Sequence, residues 1–181
     1  GGSNEFSQTN IQVQGVDEPD LVKNDDKYIY KATNGNITII DAYPAENAKI
    51  ISIININGTA NEIFVNGNKL VVFGMENYVY YNEPMPLVQS SANSKIAIDS
   101  RIMPIYYSPK SFIKVYDISD KNNPVIFNSI TYDGDYYDAR MIDEYIYVIV
   151  NQPINYNNDI ITYPSIMREG KTMSIMPTDI Y

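Results

Sequence analysis

The sequence predicts an all-β protein built from repeated antiparallel sheets, and three observations lead to this fold class. Apolar and aromatic residues make up 44% of the 181-residue chain, with Ile, Val and Tyr prominent among them. Branched and aromatic side chains of this kind fit a pleated, half-buried surface better than a helix. Asn, Gly, Asp and Pro separate the apolar runs at short intervals, as turn residues do. No long segment shows helical periodicity.

A short element recurs three times along the chain. Asp26–Tyr30, Asn68–Val72 and Asp143–Tyr147 each consist of a polar turn followed by a short apolar run. The second copy begins 42 residues after the first, and the third begins 117 residues after it. A repeat of this kind indicates stacked supersecondary units rather than one irregular sheet.

A second element repeats in the same order. Ile37–Asp41 and Ile113–Asp117 lie 76 residues apart, and each is followed by a Pro-containing turn, a further apolar strand and a Gly turn at Gly58 or Gly134. A unit of about 42 residues with four short strands is typical of a β-propeller blade. A β-sandwich is the alternative, but it does not need such a repeat. The sequence therefore predicts a partial β-propeller of about two to three blade-like sheets.

The domain organisation follows from where the repeat starts and where it is interrupted. Residues 1–9 begin with Gly-Gly-Ser, which is typical of a cloning remnant, and are expected to form a flexible leader. Residues 10–181 form the partial propeller domain. The Pro-rich segments 77–110 and 152–181 interrupt the repeat, and we expect them to be long loop insertions that project from one face.

Charge and composition exclude several classes of function. The net charge of −9 opposes binding to nucleic-acid phosphates, so no nucleic-acid partner is expected. The chain has no Cys and no His, which excludes thiol nucleophiles, His general bases, Ser-His-Asp triads and ordinary zinc sites. No apolar stretch reaches the length of a transmembrane segment.

Several segments resemble a known group of proteins. These are Asn10–Lys23, the following Asp26–Tyr30 and Ile39–Pro44, and the later Val115–Asp120 and Asp138–Met141. Together they are similar to an uncharacterised family of secreted archaeal and bacterial proteins with a β-propeller domain distantly related to WD-repeat propellers. The resemblance implies the propeller fold and a secreted or cell-surface location. It implies no catalytic activity and no cofactor.

The densest group of carboxylates is a candidate metal site. Asp133, Asp135 and Asp138 surround a Gly turn, and hard oxygen ligands of this kind suit calcium. The segment lacks the full spacing and the terminal Glu of an EF-hand loop. The alternative is an acidic β-turn in which Asp side chains accept hydrogen bonds from backbone amides. Calcium is the one cofactor that the sequence suggests.

Other acidic residues have structural interpretations. The repeated Asp41 and Asp117 at strand ends indicate Asx-turns rather than catalytic acids. Asp17, Glu18 and Asp20 precede the first repeat and are expected to form a solvated lead-in. No catalytic residue is assigned.

These observations favour a non-catalytic binding or scaffolding module, secreted or at the cell surface, with a protein or polysaccharide ligand. The alternative is a carboxylate-dependent hydrolase of polysaccharide or cell-wall material, which would need two carboxyl groups held across a sugar. Open faces on the terminal sheets would also favour self-association. Candidate ligand-binding side chains in the first insertion are Tyr78, Tyr80, Tyr81, Tyr106 and Tyr107.

Overall fold

The computed structural model describes residues 16–76, 110–152, 156–157, 160–161, 163–176 and 178. In these ranges the regular structure is antiparallel β-sheet, apart from a single 3₁₀ turn at Ala45–Asn47. No helix in the described ranges is long and apolar enough to cross a membrane. The all-β prediction is confirmed.

Fifteen strands are present in the described ranges. They are β1 (Val16–Asp17), β2 (Val22–Asn24), β3 (Tyr28–Thr33), β4 (Asn36–Asp41), β5 (Lys49–Asn55), β6 (Thr59–Asn66), β7 (Lys69–Met75), β8 (Lys110–Asp117), β9 (Val125–Asp133), β10 (Asp135–Ile142), β11 (Tyr145–Asn151), β12 (Tyr156–Asn157), β13 (Ile160–Ile161), β14 (Ser165–Arg168) and β15 (Lys171–Ser174).

The strands form three blade-like sheets in chain order. The first sheet has the order β2-β3-β4-β5. The second has the order β6-β7-β8-β9 and is extended beyond β9 by the hairpin β14–β15. The third has the order β1-β10-β11, and β12–β13 pair only with each other. Two sheets thus have the four consecutive antiparallel strands of a propeller blade, and the third has its first two, which agrees with the predicted partial propeller.

The second sheet is buried on both sides because it lies between the other two. Along β7, Leu70 and Val72 belong to the core shared with the first sheet, whereas Val71 and Phe73 belong to the core shared with the third. All four are at most 5% exposed. Successive residues of a strand point to opposite faces, so this uninterrupted apolar run is the pattern of a strand covered on both sides.

The first and second sheets share an irregularity at the same place. The pairing shifts by one residue after Ile39 in the first sheet and after Val115 in the second, which leaves Ile51 and Phe127 as the extra residues of two β-bulges. Both pairs lie 76 residues apart, as predicted from the repeat. Bulges are specific features rather than defects, so their recurrence shows that the two sheets are copies of one unit.

Strand pairing corrects the first repeat offset. Tyr30 lies opposite Ile39, and Val71 lies opposite Val115. Because Ile39 and Val115 are equivalent, Tyr30 is equivalent to Val71, 41 residues later. The offset of 42 inferred from the two turns is therefore wrong by one residue. Apolar residues on both faces of these strands removed the alternation that would otherwise fix the register.

Two glycines also occupy equivalent positions. Gly58 and Gly134 connect successive sheets and have φ angles of 139° and 111°, a region that side chains with a Cβ rarely enter. At Gly58 a Cβ would lie 2.3 Å from the carbonyl oxygen of Met75. The predicted match between these two Gly turns is confirmed.

The two insertions are not loops throughout. Lys110 belongs to β8, so it is a strand residue, and Ser165–Ser174 forms the ordered hairpin β14–β15. Glu169 and Gly170 have φ angles of 52° and 73°, as required in a two-residue hairpin turn. The expectation of a loop over 152–181 is therefore wrong for this hairpin. The short alternating pattern around an unremarkable Glu-Gly pair was a weaker signal than the flanking prolines.

Candidate functional site

The residues before the first sheet form a strap along the inner edges of all three sheets. In this lead-in strap, residues 16–23, β1 pairs with β10 of the third sheet. Asp20 then forms a bridge with Ile63 on β6 of the second sheet. The strap ends in β2, the first strand of the first sheet. A segment of eight residues therefore contacts the first strand of every sheet.

Charged side chains of the strap meet the third sheet. The ammonium of Lys23 donates to the carboxylate of Asp17 over 2.8 Å and to the backbone carbonyl of Glu18. The Glu18 carboxylate lies 3.3 Å from the guanidinium of Arg140, which also donates to Asp138 over 2.6 Å. These five residues, the lead-in network, join two segments that are more than 100 residues apart in the chain. The expectation of a solvated lead-in is therefore wrong for Asp17 and Glu18.

Lys23 is the buried member of the lead-in network. The residue is 4% exposed, and its ammonium lies 5.7 Å from the centre of the Phe64 ring. A buried ammonium is tolerated when a carboxylate, a carbonyl and an aromatic face replace its water. The network thus holds its charges in pairs and attaches the strap to the sheets.

The three aspartates proposed to bind calcium have different surroundings. The Asp133 carboxylate accepts hydrogen bonds from the backbone amide and the hydroxyl of Ser165, at 2.8 and 2.7 Å, and so anchors the start of β14. Asp138 accepts from Arg140. Within the described part of the chain, no three acidic side chains gather in an arrangement that could hold a metal ion. The calcium interpretation of Asp133, Asp135 and Asp138 stays a prediction that the structure does not support.

Calcium should therefore leave the melting temperature of the protein unchanged. A millimolar-affinity site would stabilise the fold by about 1–2 kcal/mol in 10 mM CaCl₂, which would raise Tm by several degrees. We expect no such rise, because oxygens of Asp133 and Asp138 already accept other bonds. Differential scanning calorimetry of the wild type and of Asp135→Asn tests this. A rise that is present in the wild type and lost in the variant would restore the calcium site.

The two repeated strand-end aspartates each form an ion pair. Asp41 accepts from Lys27 and Asp117 from Lys69, both over 2.7 Å. Asp117 also accepts from the backbone amide of Ser119 over 2.9 Å, which is the expected Asx-turn. The hydrogen bonds from Lys69 and Ser119 hold the pKa of Asp117 far below its usual value. This side chain is therefore an anion with a structural role, as predicted.

The five candidate ligand-binding tyrosines, Tyr78, Tyr80, Tyr81, Tyr106 and Tyr107, lie outside the described residues. The described part of the chain offers a different candidate surface. A shallow groove of about 330 Å³ runs along the outer edge of the second sheet, between β9 and the turn of the β14–β15 hairpin. Its lining residues are Ile126, Phe127, Asn128, Ser129, Thr131, Met167, Glu169 and Gly170.

Strand β9 is only half paired on the side of this groove. β14 pairs with residues 130–132 of β9 and then turns away. In the described residues, no strand pairs with 125–129 on that side. Val125, Ile126 and Phe127 on this open half are 56%, 52% and 67% exposed. Three consecutive exposed apolar residues on an open edge are unusual in a soluble domain unless they bind something.

Comparison with known proteins identifies the group to which these sheets belong. The β-propeller domain family matches residues 6–180. The chain belongs to this family. Its relatives include an uncharacterised protein of Archaeoglobus fulgidus, 28% identical over 141 residues, which covers 71% of the chain and 22% of the relative. An uncharacterised protein of Methanocaldococcus jannaschii is 26% identical over 163 residues, which covers 87% of the chain and 20% of the relative.

The chain thus spans about a fifth of the length of these curated relatives. No solved structure matches it. The resemblance inferred from the sequence is confirmed at the level of the β-propeller domain family. Sequence reasoning missed the groove of this propeller chain, because it is formed when a distant hairpin adds to β9. The available signal was the run Val125-Ile126-Phe127, whose apolar character extends to the strand end.

Proposed function

We propose that this β-propeller domain is a non-catalytic binding or scaffolding module that takes an extended polypeptide segment along the outer edge of β9. The observation that carries the proposal is the half-open edge of β9 beside an apolar groove. A bound segment would continue the line of β14 and pair with residues 125–129. Backbone hydrogen bonds would supply affinity, and the groove would select side chains.

The chemistry of the groove favours polypeptide over polysaccharide. Sugar recognition commonly uses a free aromatic face. In this groove, the ammonium of Lys69 lies 4.0 Å from the centre of the Phe127 ring and covers one face of it. The other apolar side chains are Ile126 and Met167, which pack well against aliphatic side chains.

The hydrolase alternative receives no support from this groove. Glycoside hydrolysis needs two carboxyl groups facing each other across the substrate. Among the described residues that line the groove, Glu169 is the one carboxylate.

The location and the association state belong to the same proposal. A secreted or cell-surface setting is inferred from the resemblance of Asn10–Lys23 and Asp138–Met141 to secreted proteins. Self-association is inferred from apolar residues on the outer face of the first sheet, where Ile50 and Ile53 are each 59% exposed. A module of this kind would display its groove on a rigid repeat frame.

Binding to arrays of extended peptides and of polysaccharides tests the proposed function. We expect peptides with alternating apolar residues to bind, and Ile126→Lys to weaken that binding at least ten-fold by placing an ammonium in the groove. Ile53→Lys is the matched control, since Ile53 is similarly exposed but lies on the first sheet. Binding to polysaccharide alone, or equal effects of the two variants, would contradict the proposal.

A further inference from the structure

Strand β11 occupies a central position in the blade pattern but has an open edge. Its equivalents β3 and β7 are each paired on both sides, by β2 and β4 in the first sheet and by β6 and β8 in the second. In the described residues, β11 is paired on one side alone, by β10. This edge belongs to the third sheet and is separate from the groove on β9.

The side chains of β11 are those of a strand that is covered on both faces. Ile146 and Val148 pack into the core between the second and third sheets. On the other face, Tyr145, Tyr147 and Ile149 are 71%, 57% and 58% exposed. Continuous apolar runs of this kind are typical of central strands, whereas edge strands usually carry charges or Pro that discourage pairing.

The second sheet carries a matching exposed surface. Ile51 in the first sheet packs against the core that it shares with the second. Its equivalent Phe127 is 67% exposed, although the shared bulge directs the two side chains to equivalent sides. The third sheet has no described strand beyond β11 that could cover Phe127. The open edge and the exposed ring therefore border the same space.

We propose that the open edge of β11 receives a two-stranded β-hairpin from a partner polypeptide, which completes the third sheet to four strands. The first donated strand pairs antiparallel with β11, as β4 pairs with β3 and β8 with β7. Its alternate residues must be apolar, because they face the second sheet. The second donated strand then lies over Phe127, where β5 places Ile51 in the first sheet.

Charge defines one further property of the donor. In the first two sheets, Lys27 and Lys69 at the start of the second strand pair with Asp41 and Asp117 at the end of the third. The third sheet has the acidic turn Asp143-Glu144 at the corresponding place. A donor strand that ends in Lys or Arg would therefore complement this end of β11, and one that ends in Asp would be repelled.

A second copy of β11 does not fit as the donor. Residues opposite each other in an antiparallel pair share a face, so a two-fold pairing of β11 with β11 would place both second sheets on the same side of the joined sheet. In each copy β8 and β9 continue the second sheet beyond β7, and the two extensions would overlap. The donor must therefore be a hairpin that has no packed sheet of its own on that face.

Two synthetic hairpin peptides provide the probes. One has the sequence of residues 110–133, which spans β8 and β9, and the other is the same peptide with Asp117→Lys. Hydrogen–deuterium exchange with mass spectrometry measures the protection of residues 145–151 of the full chain. We expect both peptides to slow exchange there, and the Lys peptide to bind about three-fold more tightly, as is typical of one exposed ion pair.

Matched variants of the protein decide whether β11 is the site. Tyr147→Lys should weaken binding of both peptides at least ten-fold, because it places a charge within the donated sheet. Tyr137→Lys should not change binding, since Tyr137 is 75% exposed on the bulge of β10. No slowing of exchange by either peptide, or equal effects of the two variants, would overturn the proposal. Concentration-dependent protection of β11 without peptide would also overturn it, because a second copy would then occupy the edge.

Discussion

Phe73→Ala should lower the free energy of unfolding by about 3–5 kcal/mol, the usual cost of removing a fully buried Phe from a core. Phe73 is 0% exposed on the central strand of the second sheet. Its ring stacks on Tyr136 of the third sheet, with centroids 5.1 Å apart, and meets the edge of Phe64 at 5.7 Å. Tyr136 in turn donates to Glu62 over 2.6 Å. Truncation would therefore leave a cavity where the two sheets meet.

The matched control for this substitution is Phe127→Ala. Phe127 is 67% exposed, so its truncation should change stability by less than about 1 kcal/mol. Urea unfolding followed by circular dichroism measures both variants. Equal losses for the two would contradict the packing of the third sheet against the second.

Much of the fold could be predicted because the repeat leaves several independent marks in the sequence. The offset of 76 residues relates Ile39 to Val115 and Gly58 to Gly134, and in the structure it also relates the two bulges. The bulges themselves had no signal, because Ile51 and Phe127 are ordinary strand residues. The one-residue error at β7 has the same physical origin as the burial of that strand. A strand that is apolar on both faces carries no alternation from which its register can be read.

The lead-in network could be predicted only in part. The segments containing Lys23 and Arg140 both stood out by resemblance, but nothing in the sequence showed that they meet. Their contact depends on the path of the strap across the inner edges of three sheets. The acidic residues looked solvated because surface exposure is the common state of such side chains. Burial of Lys23 beside Phe64 follows from tertiary packing, which local pattern does not encode.

Asp17→Ala should be the most damaging substitution in the lead-in network, with a loss of about 3 kcal/mol. The side chain of Lys23 is 5% exposed, and its ammonium is 2.8 Å from the Asp17 carboxylate. Removing the carboxylate leaves a buried ammonium with the Glu18 carbonyl and the Phe64 ring as its remaining partners. Loss of one partner from a buried ion pair typically costs about 3–5 kcal/mol, and the low end applies here because those two contacts persist.

A double-mutant cycle with Lys23→Met separates this effect from general damage to the strap. Met retains the apolar stem of Lys23 without its charge, and the Asp17 carboxylate that remains is 23% exposed and can reach water. We therefore expect Lys23→Met to cost about 1 kcal/mol, and the double variant to be more stable than Asp17→Ala alone by about 1–2 kcal/mol. Urea unfolding of the four proteins gives the coupling energy. Additive losses would show that the two side chains do not interact, and the strap would then be held by its backbone pairing with β6 and β10.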